Sequence, residues 1–245
     1  MIMQRFLMIQ NKSVLAIIPA RGGSKSIPRK NLRRINGESL LARTIATVQQ
    51  STLVDRIIVS SEDHEIIEAA QSAGAEVPFI RPLELAKDET SGNEPILHAL
   101  TQLPNYDYIV VLQVTSPLRL TSDIDACLTL CLRRNAPACI SVCESEVSPY
   151  WMFTMYDSDK LTPLLPDTIP TRRQDLPVTY VLNGAIYVAK STWYMQKKSF
   201  ISNETIGYIM PKERSLDIDT EFDFQLLDLY LRNSIYHEKY NVQSE

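Results

Sequence analysis

Between Ile18 and Asn31 the chain reads IPARGGSKSIPRKN, and with Arg33 just beyond, it gathers Arg21, Lys25, Arg29, Lys30 and Arg33 into one short stretch. Gly22 and Gly23 let backbone N–H groups approach an anion closely, and Arg21, Lys25 and Lys30 can neutralise it. That combination suits a small polyphosphate. A Walker A loop is excluded, since no glycine stands directly before a Lys-Ser/Thr pair (Ser24 precedes Lys25-Ser26), and a dinucleotide fingerprint is excluded because no third glycine follows in register. Near the other end stands SLDIDTEFDF, 215–224. In an extended segment Asp217 and Asp219 share one face while Leu216 and Ile218 point inward. Two carboxylates before a helix make a site for Mg²⁺, which takes a few carboxylates together with substrate phosphates. Thr220-x-x-Asp223 also reads as a capping box, leaving Asp223 and Glu221 to the helix and the two earlier aspartates to the metal. The phosphatase pattern D-x-D-x-[TV] fails here, because its fifth position is Glu221.

These groups need a scaffold that brings them together. VLAIIP (14–19), RIIVSS (56–61), YIVVLQVT (108–115) and ACISV (138–142) are nearly continuous apolar runs, as strands covered on both faces should be. Between them the pattern predicts helices over 38–50, 62–74, 93–103 and 121–134. Gly74 is placed as a C-cap, and Thr121 or Ser122 as an N-cap. Alternation at this spacing predicts a doubly wound, mostly parallel α/β sheet. In such a sheet ligands sit beyond the carboxyl ends of the strands, where the basic loop begins. After Val142 the rhythm breaks, and 144–182 carries Pro149, Pro163, Pro166, Pro170 and Pro177 and no long helix. We read 12–143 and 183–235 as the core and 144–182 as an inserted excursion. AIYVAK (185–190) and GYIMP (207–211) resume the strands. A last helix from about Thr220 is predicted to bury Phe222, Leu226, Leu229 and Tyr230.

With 25 Lys+Arg against 29 Asp+Glu, and a net charge of −4 over 245 residues, the chain is not a general nucleic-acid or membrane-surface binder. The basic cluster is local, as a small anionic ligand requires. MIMQRFLMIQNK lacks the apolar core and cleavage site of a signal peptide, and no run approaches the roughly 20 apolar residues of a spanning helix, so a cytoplasmic protein is expected. Cys127, Cys131, Cys139 and Cys143 are spaced C-x3-C twice, whereas zinc pairs are usually closer. Each pair falls in an apolar helical or strand pattern, so buried structural thiols are expected.

Four segments together have a family likeness. IPARGGSKSIPRKN, LQVTSPLR (112–119), NGAIY (183–187) and DIDTE (217–221), with IIVSSED (57–63) and IRPLELAKD (80–88), follow the order and spacing of the CMP-sialic acid synthetases. The chain resembles this family of cytidylyltransferases for sialic and related nonulosonic acids from about residue 12 to 231. The resemblance implies a Rossmann-like nucleotide-diphospho-sugar transferase fold, CTP and a 2-keto sugar acid as substrates, and Mg²⁺ as cofactor. It implies that the first loop binds the triphosphate, with Arg21 and Lys30 as chief cations and Ala20, Gly22, Gly23, Ser24 and Asn31 seating the nucleotide. Arg81 would lie near cytosine and ribose. Gln113, Thr115 and Ser116 would line the junction of nucleotide and sugar, and Asn183 with its backbone would face the sugar acid. Asp217 and Asp219 would hold Mg²⁺, with Asp219 also the candidate base. The excursion would be a dimerisation segment carrying Arg173 into the neighbouring site, where an arginine fork suits a carboxylate. The likeness leaves open a legionaminic, pseudaminic or Kdo acid as the sugar, and a nucleotide-binding module without catalysis. Glu62, Trp151 and Val181 depart from the family pattern, and all three are expected in or near the sugar side.

Overall fold

The computed structural model describes residues 12–24, 26–155, 159–165 and 172–232. Its strands are β1 (Val14–Pro19), β2 (Arg34–Ile35), β3 (Glu38–Ser39), β4 (Arg56–Ser60), β5 (Tyr108–Leu112), β6 (Ala138–Glu144), β7 (Phe153–Met155), β8 (Leu161–Pro163), β9 (Tyr180–Lys190) and β10 (Ile206–Ile209). Its helices are α1 (Leu40–Gln49), α2 (His64–Ser72), α3 (Glu94–Gln102), α4 (Thr121–Arg133), α5 (Ser191–Lys197) and α6 (Glu221–Arg232). Six strands form one sheet in the order β10-β6-β9-β5-β1-β4. β1 runs parallel to β4 and β5, and β10 parallel to β6, while β9 is antiparallel to both its neighbours. The fold is α/β with a mostly parallel sheet, as the alternation of patterns predicts.

The apolar strands are covered on both faces because successive side chains point to opposite sides. From β1, Val14, Ala16 and Ile18 join one core with α1, α4 and α6, represented by Leu41, Ile45, Leu128 and Leu227. Leu15 and Ile17 join the other core, with Ile96 and Leu100 of α3 and Tyr194 of α5. β1 is followed in space by β4 on one side and β5 on the other, so a crevice opens between the carboxyl ends of β1 and β5.

Local signals explain most helix ends. Ser39 accepts from the Ala42 N–H at the start of α1, and Asp63 accepts from the Ile66 N–H at the start of α2. α2 ends at Gly74, whose φ is +85°, with Gly74 N–H on Gln71 O and Ala75 N–H on Ala70 O. The expected cap at Thr121 or Ser122 is corrected. α4 already includes Thr121, whose hydroxyl donates to Thr47 O, and Asp123 reaches back to the Leu120 N–H.

Three further expectations change. The run 108–115 is a strand only to Leu112, because the next residues leave the sheet to build a loop at the crevice. β9 starts at Tyr180 rather than 185 and pairs Glu144 with Tyr180, so both ends of the 144–182 excursion lie on the main sheet. In α6 the buried stripe is Phe224, Leu227 and Leu231, whereas Phe222 and Leu229 are 69% and 65% exposed. Apolar residues recur at helical spacing on two faces of this helix. The Arg33 guanidinium stacked 4.5 Å over the Phe224 ring, together with the buried Ile218 just upstream, selects the face that turns inward.

The four cysteines are free and buried on α4 and β6, with Cys127 and Cys139 sulfurs 3.6 Å apart. Among the described residues, no group of three or more His, Cys, Asp or Glu is placed to hold a metal, and no helix is long and apolar enough to cross a membrane.

Gly74→Ala forces a side chain into left-handed backbone and puts a Cβ 2.7 Å from the Gln49 amide nitrogen. The expected loss is about 1–2 kcal/mol of unfolding free energy in a denaturant titration, with no change in ligand binding.

Candidate active site

The crevice is built from four chain segments: the loop after β1, the loop after β5, the Asn183–Gly184 turn of β9 and the strand-like stretch 215–219. Ile218 is fully buried, and its N–H donates to Thr115 O at 2.8 Å, which fixes the last segment against the second. Asp217 and Asp219 flank that anchor and both face outward.

The basic loop leaves β1 at Ala20, whose N–H donates to Ser60 O at 3.0 Å. Asn31 closes it from inside, its side-chain amide donating to Arg21 O at 2.9 Å. Ser24 accepts from the Ile27 N–H, while Gly23 faces open space. Lys25 lies outside the described residues. Gly22 is required by close approach, because a Cβ there would stand 2.5 Å from an Asp63 carboxylate oxygen. That carboxylate cannot yield, since it caps α2 and pairs with Arg29 at 2.6 Å.

The cations of the loop are not equivalent. Arg29 is tied to Asp63 and Glu65, and Arg33 to Glu221. Arg21 reaches sideways to Lys87 O at 3.2 Å and the Asp88 carboxylate at 2.9 Å. Lys30 crosses the crevice, and its ammonium donates to Ile218 O at 2.8 Å and to the Asp219 carboxylate at 3.0 Å. The basic loop and the acidic pair, separated by 189 positions between those two residues, form one site.

Asp217 is open to solvent on one side, yet protein packed on the other pushes its pKa up, with the Asp219 charge adding to the rise and a hydrogen bond from Thr115 opposing it. Beside it lies Gly184, with φ +73°, where a Cβ would stand 3.7 Å from both an Asp217 carboxylate oxygen and the Ser116 hydroxyl. The Ser116 hydroxyl is fully buried and, among the described residues, has no hydrogen-bond partner. A buried hydroxyl without a partner is rare, and one this near a carboxylate is a candidate donor to a ligand oxygen. The donor set also fits a hard divalent cation. Two carboxylates from one segment stand with Lys30 between strand ends, and the lysine supplies the positive charge that a metal would otherwise bring.

Several expected contacts take a different form. Arg81 is only 3% exposed; it donates to both the hydroxyl and the carbonyl of Ser60 and faces Glu62, and burial lowers its pKa to about 10. Its side chain braces the loop from behind. Glu62 is expected on the sugar side, and this is corrected: it accepts from the Gly22 N–H at 2.6 Å because β4 lies next to β1 and delivers it beneath the basic loop. Asn183 turns inward, bonding the Ser141 and Ser215 hydroxyls and the Ala185 N–H, so only its backbone faces the crevice. Gln113 offers its carbonyl to Arg119 and keeps its side chain half-buried at the loop mouth. Arg173 begins a short helical turn, 173–175, and its side chain lies outside the described residues. Val181 is exposed on the first part of β9, and Trp151 is half-buried at the root of the excursion.

Residue-type reasoning missed the buried polar braces. Asp123 binds Arg214 through two oxygens and accepts from the Tyr208 hydroxyl, and Arg119 sits fully enclosed behind the loop 113–119. No local signal marks Asp123 or Arg119, since both stand in the mixed polar stretch VTSPLRLTSDID and only the fold buries them.

The Asp63–Arg29 pair gives a pH test. The guanidinium of Arg29 holds the Asp63 carboxyl below its usual range, so its stabilisation is present above the unfolded value and is lost as pH falls through the folded one. Asp63→Asn keeps a capping side chain but removes the charge. The stability gap between the two proteins should be constant above about pH 4 and close progressively in stronger acid. A gap that persists undiminished at low pH would contradict the ion pair.

Comparison with known proteins agrees with this geometry. The family model for cytidylyltransferase matches residues 15–225. An N-acylneuraminate cytidylyltransferase of Escherichia coli O18:K1:H7 is 36% identical over 214 residues, 87% of this chain and 51% of the relative. A CMP-N,N'-diacetyllegionaminic acid synthase of Legionella pneumophila is 31% identical over 221 residues, 88% of this chain and 94% of the relative. The chain thus spans about half the length of the first of these and nearly all of the second. The solved structure of a CMP:2-keto-3-deoxy-manno-octonic acid synthetase complexed with CTP superposes with a TM-score of 0.67 at 15% identity, over 89% of this chain and 98% of that one, which is a likeness of fold. With a family model covering most of its length and a relative matched nearly end to end, the chain belongs to the cytidylyltransferase family.

Proposed function

We propose that the protein activates a nonulosonic acid of the sialic or legionaminic type with CTP, releasing the CMP-sugar and pyrophosphate. The observation that carries this reading is the Lys30–Asp219 contact, which sets a phosphate-binding loop against a pair of metal-type carboxylates. The relatives are a cytidylyltransferase for N-acylneuraminate and a synthase of CMP-diacetyllegionaminic acid, and they support this choice of sugar. A Kdo-type or pseudaminic acid is the second candidate class; the fold likeness to a synthetase holding CTP and the 29% identity to a Campylobacter jejuni pseudaminic acid cytidylyltransferase keep it in the test.

In this reading the anomeric C2 hydroxyl of the sugar acid attacks the α-phosphorus, and the bond to the pyrophosphate oxygen breaks. Positioning and charge neutralisation carry such a step. Ala20, Gly22, Gly23, Ser24 and Asn31 seat the nucleotide, with Arg81 holding their loop in place. Arg21 and Lys30 take the charge that develops on the leaving pyrophosphate. Exposed ion pairs contribute about 0–1 kcal/mol, so exchanging Asp88 or Asp219 for a phosphate costs these cations little. Thr115, Ser116 and Gln113 line the junction, with the unpartnered Ser116 hydroxyl donating to a substrate oxygen. Asp217 and Asp219 would hold Mg²⁺, whose charge, when bound, would polarise the α-phosphate. Asp219, freed as Lys30 turns to the triphosphate, accepts the hydroxyl proton.

We also propose a homodimer built on the excursion. Among the described residues the hairpin β7–β8 forms a two-stranded sheet of its own, and Phe153, Met155 and Leu161 on it, with Tyr180, Val181 and Leu182 of β9, are exposed. An apolar surface of this kind commonly marks an interface. Arg173 on that segment would meet the carboxylate of the sugar in the neighbouring site. Catalysis of this kind belongs in the cytoplasm, where CTP is available.

Pyrophosphate release with CTP and Mg²⁺, across sialic, legionaminic, pseudaminic and Kdo acids, is expected for a sialic or legionaminic acid and not with the other three nucleotides. CTP binding without turnover of any acid would instead support a binding module. Asp219→Asn should lower turnover at least ~100-fold while the protein still binds CTP, and near-normal turnover would remove Asp219 from the mechanism.

A further inference from the structure

Arg119 ends the segment TSPLR and is 3% exposed, yet no carboxylate among the described residues pairs with it. Its Nη1 donates to Gln113 O at 2.8 Å and Ala185 O at 2.9 Å, its Nη2 donates to the Thr44 hydroxyl at 3.0 Å, and its Nε has no acceptor among the described residues. The nearby Asp123 is already held by Arg214 and Tyr208. Buried arginines usually bring a carboxylate with them, because a charge stripped of water must be compensated. Here carbonyl and hydroxyl dipoles from three elements do that work.

Those acceptors share a location. Leu112 of β5 pairs with Ile186 of β9, and beyond that register the two chains part. Arg119 spans the gap from behind, holding Gln113 on one side and Ala185 on the other. The Ser116 hydroxyl lies close to the Gly184 backbone, 3.7 Å from where a Cβ on Gly184 would stand.

We propose that Arg119 is a positioning residue, which pins the loop 113–119 to β9 and so holds Gln113, Ser116 and Gly184 in register where nucleotide and sugar acid meet. The inference rests on the cytidylyltransferase reading and adds a residue that touches neither substrate. A lysine could keep the charge but has no planar fork to bridge two carbonyls and a hydroxyl.

The test compares Arg119→Lys, Arg119→Met and the milder Thr44→Val, which keeps the guanidinium and removes one acceptor. CTP affinity is measured by calorimetry, and kcat and the sugar-acid KM by pyrophosphate release. Because Arg119 bonds none of the cations of the triphosphate loop 20–31 directly, CTP affinity should change much less than kcat and the sugar-acid KM in all three proteins. Turnover should fall at least ~30-fold in Arg119→Lys and Arg119→Met, and about threefold in Thr44→Val, with the sugar-acid KM rising. Unchanged kcat and sugar-acid KM in Arg119→Lys, or CTP affinity falling in step with kcat, overturns the proposal. If neither Arg119 variant folds, Thr44→Val decides alone, and wild-type kinetics in it overturn the proposal. No turnover of any sugar acid by the unsubstituted protein overturns the functional reading and this inference with it, whereas turnover there with unimpaired Arg119→Lys overturns only the role of Arg119.

Discussion

Lys30 joins the two halves of the site, and the rest of the crevice is arranged around that contact. Its ammonium is bonded to the carbonyl of a buried residue, Ile218, and to the carboxylate of the next residue, Asp219. The first bond places the lysine against the scaffold and the second against the surface. Ile218 is in turn held by Thr115 at the end of β5. Three chain segments far apart in sequence therefore meet through one lysine, one isoleucine and one threonine. The buried Ile218 fixes the backbone of this junction, while the Lys30 ammonium can still swing from Asp219 to a ligand.

Around that contact, Arg119 apart, the described cations are matched by acids, at two different depths. At the surface, Arg21 with Asp88 is a half-exposed pair of low worth, and the mostly buried Lys30 reaches out to an exposed Asp219; a polyanion and a cation can exchange both contacts. Deeper, Arg214 with Asp123 is nearly closed to solvent, and breaking such a pair by removing one partner costs about 3–5 kcal/mol. Arg29 stands between these, bound to the cap of α2 and fixing the carboxylate against which Gly22 is packed. A site that must bind and release a charged ligand needs the first kind, and the walls that keep its shape need the second.

Buried polar groups also decide which side chains can face a ligand. Asn183 has its amide satisfied inside the sheet, at the irregular register between β6 and β9, so Gly184 presents backbone alone to the crevice. Arg81 likewise spends its guanidinium on Ser60 and Glu62. Ser116 is the opposite case, enclosed but unpartnered among the described residues, and that leaves it available for a substrate oxygen.

Residue order alone determined the α/β class, because continuous apolar strands separated by helical patterns admit few other packings. It also determined the chemistry of the two motifs, the glycine C-cap of α2 and the capping box of α6, in which the Asp223 carboxylate accepts from the Thr220 N–H. These depend on residues close along the chain. Tertiary structure decided which apolar stripe of α6 is buried, where β5 ends, and that β9 runs antiparallel from Tyr180. It also decided that Glu62 lies under the basic loop, that Asn183 and Arg81 turn inward, and that Arg119 carries the charge behind the site. In each of these the residue's own type allowed two roles. The choice was made by the partner that strand order delivered to it, across distances that no local pattern encodes.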